Sequence, residues 1–394
     1  MKKQILLISF IVIFIFTKSI AQNTELWGMT AVGGNTHGGT IFKINEDGTG
    51  FQILNTFNSK STGDIPNGNL IKANNEKLYG MTPGGGDTTS FFLGHGVLFS
   101  FDPLGNIYSD LFNFTKASGI QPAGSLIQAT NGKLYGMTQM GGDTTINPNG
   151  GGTIICFDPS NNSLNNLFDF EKSSGYYILG SLMQASNGLL YGMTNTGGDT
   201  TIDQANGVGV IFSFNPIANT YSRLFNFEGT NGANPRGSLI QATNGLLYGM
   251  TSYGGPDTNH YAGNNYYYPG AGVIFSFDIV NNIYTVIHNF DSAHGALPYG
   301  SLIQASNGLL YGMTAGALGN NGNIFSIDPS TNTFIDLHDF NYADGSSPFG
   351  DLIQASNGKL YGLASEGGID SSGVIFNYNI TTNIYTKNIG FYNC

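Results

Sequence analysis

Acidic residues recur at one place in this sequence, and their pattern is that of a cation site. A Gly-Gly-Asp-Thr-Thr motif begins at Gly85, Gly141 and Gly197. With two related glycine-rich segments, the recurring carboxylates are Asp87, Asp143, Asp199, Asp257 and Asp370. Calcium binds such oxygens but needs about six to eight of them to converge. The alternative is a turn, in which glycine supplies positive φ and the carboxylate accepts nearby N–H groups. We predict no other cofactor.

Aromatic residues concentrate in the longest glycine-rich segment, Ser252–Ala271. Its tyrosines are Tyr253, Tyr261, Tyr266, Tyr267 and Tyr268. Exposed tyrosines beside Asn and Gly favour contact with sugar faces or with protein partners, because each ring offers an apolar body and a polar tip. The alternative is a loop that packs its own tyrosines. This segment is the predicted ligand-binding site.

The Asp-Thr-Thr triplets also predict a covalent modification. They resemble the Asp-Thr/Ser-apolar-or-Thr sequon for O-glycosylation of exported proteins in some Gram-negative bacteria. The acceptors would be Thr88, Thr144 and Thr200. Thr258 is followed by an asparagine, departs from the sequon and should stay unmodified. Short motifs also match by chance, and the turn interpretation remains open.

The usual catalytic signatures do not occur in the sequence, which has no Gly-x-Ser-x-Gly, His-Glu-x-x-His, Cys-x-x-Cys or Walker A motif. His288 and His338 replace phenylalanines of sister segments, so we expect packed rings. A metal at His37 and His95 would need further ligands, since a zinc site usually has about three or four. Cys156 stands where sister segments have serine, and we assign no disulfide to it or to Cys394.

Internal repetition determines which elements carry these residues. The pentad Leu-Tyr-Gly-Met-Thr or a close variant occurs seven times, starting at residues 26, 78, 134, 190, 247, 310 and 360. Each full repeat predicts four strands: Ser-Leu-Ile-Gln-Ala, the pentad, a segment such as Gly272–Phe277, and an alternating segment such as Ile283–Phe290. An Asn-Gly turn such as Asn131-Gly132, in which both residues tolerate positive φ, separates the first two strands.

Four strands in each repeat of 50 to 63 residues predict a propeller blade. We therefore predict an all-β fold, a seven-bladed β-propeller with four-stranded antiparallel blades, in one domain of residues 22–394. An open β-solenoid is the alternative. The first repeat lacks its opening strand, so one blade should have three strands, giving 27 in all, unless residues 22–25 or the tail from Lys387 complete it.

The N-terminus predicts the compartment. Lys2 and Lys3 precede an apolar run from Ile5 to Phe16, and Ser19-Ile20-Ala21 supplies small residues at the expected cleavage positions. We interpret residues 1–21 as a signal peptide of a secreted, extracellular or cell-surface protein with no membrane span. The net charge of −11 becomes more negative without the leader's lysines, which argues against nucleic acid.

The repeat resembles a known family. The pattern Gly-Ser-Leu-Ile-Gln-Ala-x-Asn-Gly-x-Leu-Tyr-Gly-Met-Thr-x-x-Gly-Gly, followed by Gly-x-Ile-Phe-Ser-Phe-Asp, is similar to the GloVer tandem repeats of exported bacterial proteins. It is more distantly similar to kelch and sensor-type propeller repeats. The resemblance covers the chain from Gln22 to Cys394 and implies an architecture rather than an activity.

Two functional hypotheses follow. The leading one is an exported, non-catalytic binding or scaffold propeller that contacts a glycan or protein at the cell exterior through its glycine-rich loops. The alternative is a polysaccharide-active hydrolase or lyase that uses carboxylates at the channel mouth. Hydrolysis of a glycosidic bond needs two carboxylates across a cleft, and different blades of a propeller can supply them.

Overall fold

A computed structural model describes residues 25–58, 62–86, 94–145, 149–199, 201, 207–256, 270–291, 295–316 and 320–391. The predicted leader lies outside these ranges. Twenty-seven strands and no helix occur within them. Accordingly, that part of the chain contains no helix with the length and hydropathy that a membrane crossing requires.

The strands form seven antiparallel sheets that are the blades of a seven-bladed β-propeller, as predicted. Blade 1 has three strands, which are β1 (Glu25–Thr30), β2 (Thr40–Asn45) and β3 (Gln52–Thr56). Blades 2 to 7 have four strands each, paired in chain order. Their innermost strands are β4 (Ile71–Lys72), β8 (Ile120–Gln128), β12 (Met183–Gln184), β16 (Ile240–Gln241), β20 (Ile303–Gln304) and β24 (Ile353–Gln354).

The remaining strands lie progressively further from the channel. The second strands of blades 2 to 7 are β5 (Leu78–Thr82), β9 (Leu134–Met140), β13 (Leu190–Thr194), β17 (Leu247–Thr251), β21 (Leu310–Thr314) and β25 (Leu360–Ala364). The third strands are β6 (Val97–Asp102), β10 (Thr153–Asp158), β14 (Val210–Asn215), β18 (Val273–Asp278), β22 (Asn323–Asp328) and β26 (Val374–Asn379). The outer strands are β7 (Ile107–Asn113), β11 (Ser163–Asp169), β15 (Thr220–Asn226), β19 (Ile283–Asn289), β23 (Thr333–Asp339) and β27 (Ile384–Gly390).

The turn between the first two strands differs in detail from the prediction. In blade 3 the N–H of Gly132 donates to the carbonyl of Ala129, and Gly132 has a φ of 80°. Asn131 does not have positive φ, so glycine alone takes the left-handed conformation. The asparagine instead shapes the turn with its side chain, because Asn131 Oδ1 accepts the N–H of Lys133 at 3.1 Å.

The second and third strands form the buried centre of each blade. In β17 all five residues of the pentad are buried, and Gly249 pairs with Phe275 of β18. A Cβ on Gly249 would lie 2.6 Å from Phe275 Cζ, so the ring occupies the space that any larger residue would need. Tyr284 of β19 stacks on Phe275 and also on Phe225 of the preceding blade, which joins neighbouring blades through aromatic contacts.

The described residues of blade 1 form no inner strand, and a residue of its own β2–β3 turn makes the contact that an inner strand makes elsewhere. In blades 3 to 7 a glutamine of the inner strand accepts a backbone N–H of the preceding blade, as Gln354 Oε1 does from Ser306 at 2.8 Å. In blade 1 Glu46 takes this place and accepts the Ser356 N–H at 3.0 Å. The apolar seam between blades 7 and 1 is a small cluster around Phe42 and Ile375.

Candidate functional site

The connection from each outer strand to the next inner strand ends in a constant frame at one mouth of the channel. Blade 5 shows the pattern in Asn234-Pro235-Arg236-Gly237-Ser238. Asn234 has a φ of 52°, and its N–H donates to the carbonyl of Val208 in the preceding blade's glycine-rich loop at 2.8 Å. Equivalent residues with positive φ are Ile65, Gln121, Tyr177, Leu297 and Ser347. Non-glycine residues held in this conformation concentrate at functional sites.

Proline fixes the next residue of this frame in five of the six inner connections, with Ile178 in the sixth. A Cβ on Gly209 of the preceding loop would meet Pro235 Cδ at 3.0 Å, so the proline rests directly on that glycine. The glycine-rich loops therefore lie beside the channel mouth. Because their glycines have no Cβ, they leave room for the prolines that hold the mouth residues in place.

Serine hydroxyls link the inner connections into a ring. The backbone N–H of Ser181 donates to Ser238 Oγ at 2.8 Å, and that of Ser238 donates to Ser301 Oγ at 2.8 Å. Ser125 and Asn69 continue the pattern at 2.7 Å each. This serine ring brings together residues that are 50 or more positions apart in the sequence.

The ring ends at an aspartate beside blade 1, whose described residues form no inner strand. Asp351 replaces serine, and its Oδ1 accepts the N–H of Ser301 at 2.5 Å. Its Oδ2 accepts from Asn69 Nδ2 at 3.3 Å, which connects blade 7 to blade 2 across the gap. Both carboxylate oxygens thus have a structural role.

The residue between the proline position and the glycine is different in each of the six connections. These mouth residues are Asn67, Ala123, Leu179, Arg236, Tyr299 and Phe349. The guanidinium carbon of Arg236 lies 4.3 Å from the Tyr299 ring centroid. The rings of Tyr299 and Phe349 stack at 5.3 Å with 29° between their planes. Consecutive blades therefore build one cationic and aromatic row.

The mouth residues, apart from Ala123, line a cavity of about 430 Å³ together with the serine ring and its glycines. A Cβ on Gly237 would lie 2.1 Å from the carbonyl oxygen of Gly300, so neighbouring connections pack at backbone contact around the cavity. Arg236 and Asp351 are the charged residues among the described residues that line it. The cavity is therefore close to neutral, with donors, one carboxylate and an apolar wall.

The predicted tyrosine site adjoins this cavity through one residue. Tyr253 is buried, with 6% of its surface exposed, and its hydroxyl lies 3.4 Å from that of Tyr299. The Arg236 guanidinium lies 6.0 Å from the Tyr253 ring centroid. Tyr253 thus supports the cavity wall from behind. Tyr261, Tyr266, Tyr267 and Tyr268 lie outside the described residues, and their role stays a prediction.

The described carboxylates of the predicted cation site form turns. Asp143 Oδ1 accepts the N–H of Thr145 at 2.8 Å, and Asp199 Oδ1 accepts that of Thr201 at 2.9 Å. These hydrogen bonds lower the pKa of both carboxyls. Asp370 is also exposed. Asp87 and Asp257 fall outside the described residues. Among those that are described, no three His, Cys, Asp or Glu side chains are grouped to hold a metal.

The remaining candidate residues have simpler surroundings. Thr144 is partly exposed in its loop, whereas Thr88 and Thr200 lie outside the described residues, so glycosylation stays a prediction. His288 stacks on Phe334 at 3.9 Å and His338 on Tyr385 at 4.0 Å, which agrees with the predicted packing. Burial lowers the pKa of His338.

Two further candidates are buried side chains. His95 is 3% exposed in its loop, in contrast to the exposed His37. Cys156 is a buried free thiol whose pKa is raised by burial. Cys394 lies outside the described residues. A buried thiol of this kind is inert in the way expected of a packing residue.

Sequence reasoning missed the mouth residues. Their signal is the contrast between a Pro-x-Gly frame, present in five of six copies, and a different side chain at x in every copy. Positions that agree between copies build the common blade. Ligand contacts in a repeat protein instead fall where copies disagree, because a single ligand meets each blade from a different side.

Comparisons with known proteins agree with the architecture. A family model described as the Gloeobacter/Verrucomicrobia repeat matches residues 16–203 and 258–393, more than half of the chain. No curated protein sequence matches. Solved structures match over nearly the whole chain. One is a protein proposed to be a 6-phosphogluconolactonase from Bacteroides fragilis, with 17% identity, a TM-score of 0.58, and coverage of 92% of this chain and 93% of that one.

Two further structures show the same fold at lower identity. A protein from Lactobacillus plantarum has 10% identity and a TM-score of 0.57, with 92% of this chain and 94% of that chain covered. An oligogalacturonate lyase from Vibrio parahaemolyticus has 9% identity and a TM-score of 0.52, with 93% and 86% covered. At these identities the likeness concerns the fold and not the activity.

Proposed function

The chain belongs to the Gloeobacter/Verrucomicrobia repeat family, and from that premise we propose that it is an exported, non-catalytic binding or scaffold propeller. Its contact surface is the face that carries the glycine-rich loops and the channel mouth. Export rests on the leader sequence, with its basic start, apolar run and small residues before Gln22. The partner is a glycan or a protein at the cell exterior.

The observation that carries this proposal is the variable row of mouth residues within a constant frame. The frame is over-determined, because proline, glycine, a positive φ and the serine ring all fix it. The side chains of Arg236, Tyr299 and Phe349 line the cavity from that frame. Aromatic and arginine side chains on rigid supports are typical of binding surfaces.

The charges at the mouth support binding rather than hydrolysis. Asp351 is the one acid among the described residues that line the cavity, and both its oxygens already accept hydrogen bonds. Glycosidic hydrolysis by two carboxylates would need a second acid about 5 to 9.5 Å away. The alternative function, a polysaccharide-active hydrolase or lyase, is therefore kept as an outcome of the test.

The test combines a binding and a cleavage measurement on purified protein starting at Gln22. We expect binding to a glycan array or to surface material of the native host, without release of reducing or unsaturated sugars. Thr145→Arg with Thr201→Arg on the loop face should weaken binding. The matched pair Leu104→Arg with Ile217→Arg, on exposed turns at the opposite face, should not. Product release would favour the enzyme, and equal loss in both pairs would contradict the assigned face.

A further inference from the structure

The serine ring presents hydroxyl donors to the cavity. Each Oγ of Ser125, Ser181, Ser238 and Ser301 accepts a backbone N–H from the preceding blade. A serine hydroxyl has one hydrogen to donate besides its acceptor lone pairs. Within the described ranges, none of these four hydroxyls donates to another protein group. Their hydrogens are left for a ligand in the cavity that they line.

An aromatic platform stands beside these donors. Phe349 is 50% exposed although it stacks on Tyr299, so part of its ring is open to a ligand. Tyr299 is itself supported by Tyr253 and by the Arg236 guanidinium. An exposed ring on such a rigid support offers apolar area at little entropic cost.

The charges of the cavity favour a neutral ligand. Arg236 and Asp351 contribute one charge of each sign. The carboxylate of Asp351 has about four lone-pair positions, of which Ser301 and Asn69 use two, so it can still accept hydrogen bonds from a ligand. An anion would gain from Arg236 but would be repelled by Asp351 and by the net charge of −11.

We propose that the channel-mouth cavity binds a neutral sugar ring at the end of a glycan. The apolar face of the pyranose would pack on Phe349, while its hydroxyl groups accept from the serine ring and Arg236 and donate to Asp351. The cavity of about 430 Å³ is near the lower end of ligand pockets and suits a terminal unit rather than a long chain. This inference rests on the proposed binding function and specifies its ligand class.

Binding to the intact protein is measured by saturation-transfer NMR and by calorimetry. The ligands are methyl glycosides and short oligosaccharides of neutral sugars, and galacturonate oligomers are the acidic comparison. Phe349→Ala should weaken binding of a neutral sugar about tenfold, as loss of a central aromatic contact does. Phe349→Leu, which keeps the apolar volume, should restore part of it. The matched control is Tyr342→Ala, which removes a ring that is 47% exposed but does not line the cavity.

The outcomes separate the ligand class from the site and from the wider function. Binding confined to acidic sugars and lost in Arg236→Gln would overturn the neutral class and leave the binding function standing. Neutral-sugar binding that Phe349→Ala does not change would overturn the site. Failure of the whole panel would overturn the inference, while the host-surface measurement independently decides the proposed function. Near-ultraviolet circular dichroism confirms that each variant is folded.

Discussion

At the residue scale, a buried tyrosine can contribute to packing through its ring and to a turn through its hydroxyl. Tyr135 is 1% exposed in β9, and its hydroxyl accepts from Asn131 Nδ2 at 2.8 Å. Burial raises the pKa of Tyr135 to about 12 from an ordinary value of 10.0. Removing the phenol from water disfavours its charged form more than the asparagine favours it.

A pH dependence of stability follows from this shift. The folded-state pKa lies above the unfolded value, so the neutral phenol stabilises the fold fully below pH 10.0. That contribution is lost as the pH rises from 10.0 through about 12. Urea unfolding at pH 8, 10 and 11 should show a smaller alkaline loss for Tyr135→Phe than for the wild type. Equal losses in the two proteins would show that Tyr135 does not titrate in this way.

The residue scale also shows what the sequence could predict. The packing of His288 and His338 followed from the phenylalanines of sister repeats, because equivalent positions in a repeat share their surroundings. The row of Arg236, Tyr299 and Phe349 did not follow. Each of its members comes from a different repeat, and no local pattern links side chains that meet only when the ring closes.

At the scale of elements, the inner strands are shorter than predicted in five of six blades. The sequence predicted strands such as Ser238–Ala242 and Ser301–Ala305, whereas the ladders span Ile240–Gln241 and Ile303–Gln304. In blades 4 to 6 the serine N–H donates to the next blade rather than along the sheet, which leaves only the residues after it to pair with the pentad. Blade 3 is the exception, where β8 runs from Ile120 to Gln128 because residues 120–123 also pair with β9. An irregularity between Ala123 and Ile127 contains Ser125, whose N–H donates to the next blade as in blades 4 to 6.

The inner turn of blade 2 carries a backbone strain that a substitution should relieve. Glu76 has a φ of 66° where the other five turns have glycine. This conformation costs a non-glycine residue about 1–2 kcal/mol, which a change to glycine removes. The same change costs about 0.5–1 kcal/mol because unfolded glycine has more conformational freedom to lose on folding. The Lys72–Glu76 ion pair is exposed and contributes little. Glu76→Gly should therefore raise the free energy of unfolding by about 0.5–1 kcal/mol.

The matched control for this prediction is Gly188→Glu in blade 4. A Cβ on Gly188 would meet nothing within 4 Å, and its φ is 81°, so the change tests backbone strain alone. Chemical denaturation should show a loss of similar size for Gly188→Glu. A destabilised Glu76→Gly protein would mean that the ion pair outweighs the strain.

At the scale of the whole molecule, repetition predicted the seven blades, the 27 strands and the three-stranded blade, and the described residues confirm all three. The mode of closure was not predictable. It depends on Glu46, Asn69 and Asp351, which depart from the repeat and meet only across the gap. In the sequence alone nothing links these departures from the repeat, because the residues come together only when the ring forms.

The seam beside blade 1 should be the first part of the ring to open. Its apolar cluster is much smaller than the one that joins blades 4 to 6. Asp351→Ser keeps an acceptor for Ser301 but removes the link to Asn69, so amide exchange in β1–β3 and β24–β27 should rise several-fold. Exchange in β16–β19 should not change. A uniform increase over all blades would instead indicate global destabilisation.

The Asn-Gly turns have a chemical consequence as well as a geometric one. Asn-Gly is the pair at which proteins most readily deamidate, since the glycine nitrogen attacks the asparagine carboxamide and releases ammonia. In the five inner turns with this pair, the carboxamide nitrogen donates to a tyrosine hydroxyl at 2.8 Å. The carboxamide oxygen accepts the N–H two residues later. A side chain held at both ends cannot rotate toward the glycine nitrogen, so these turns should age slowly in the folded protein and quickly once it unfolds.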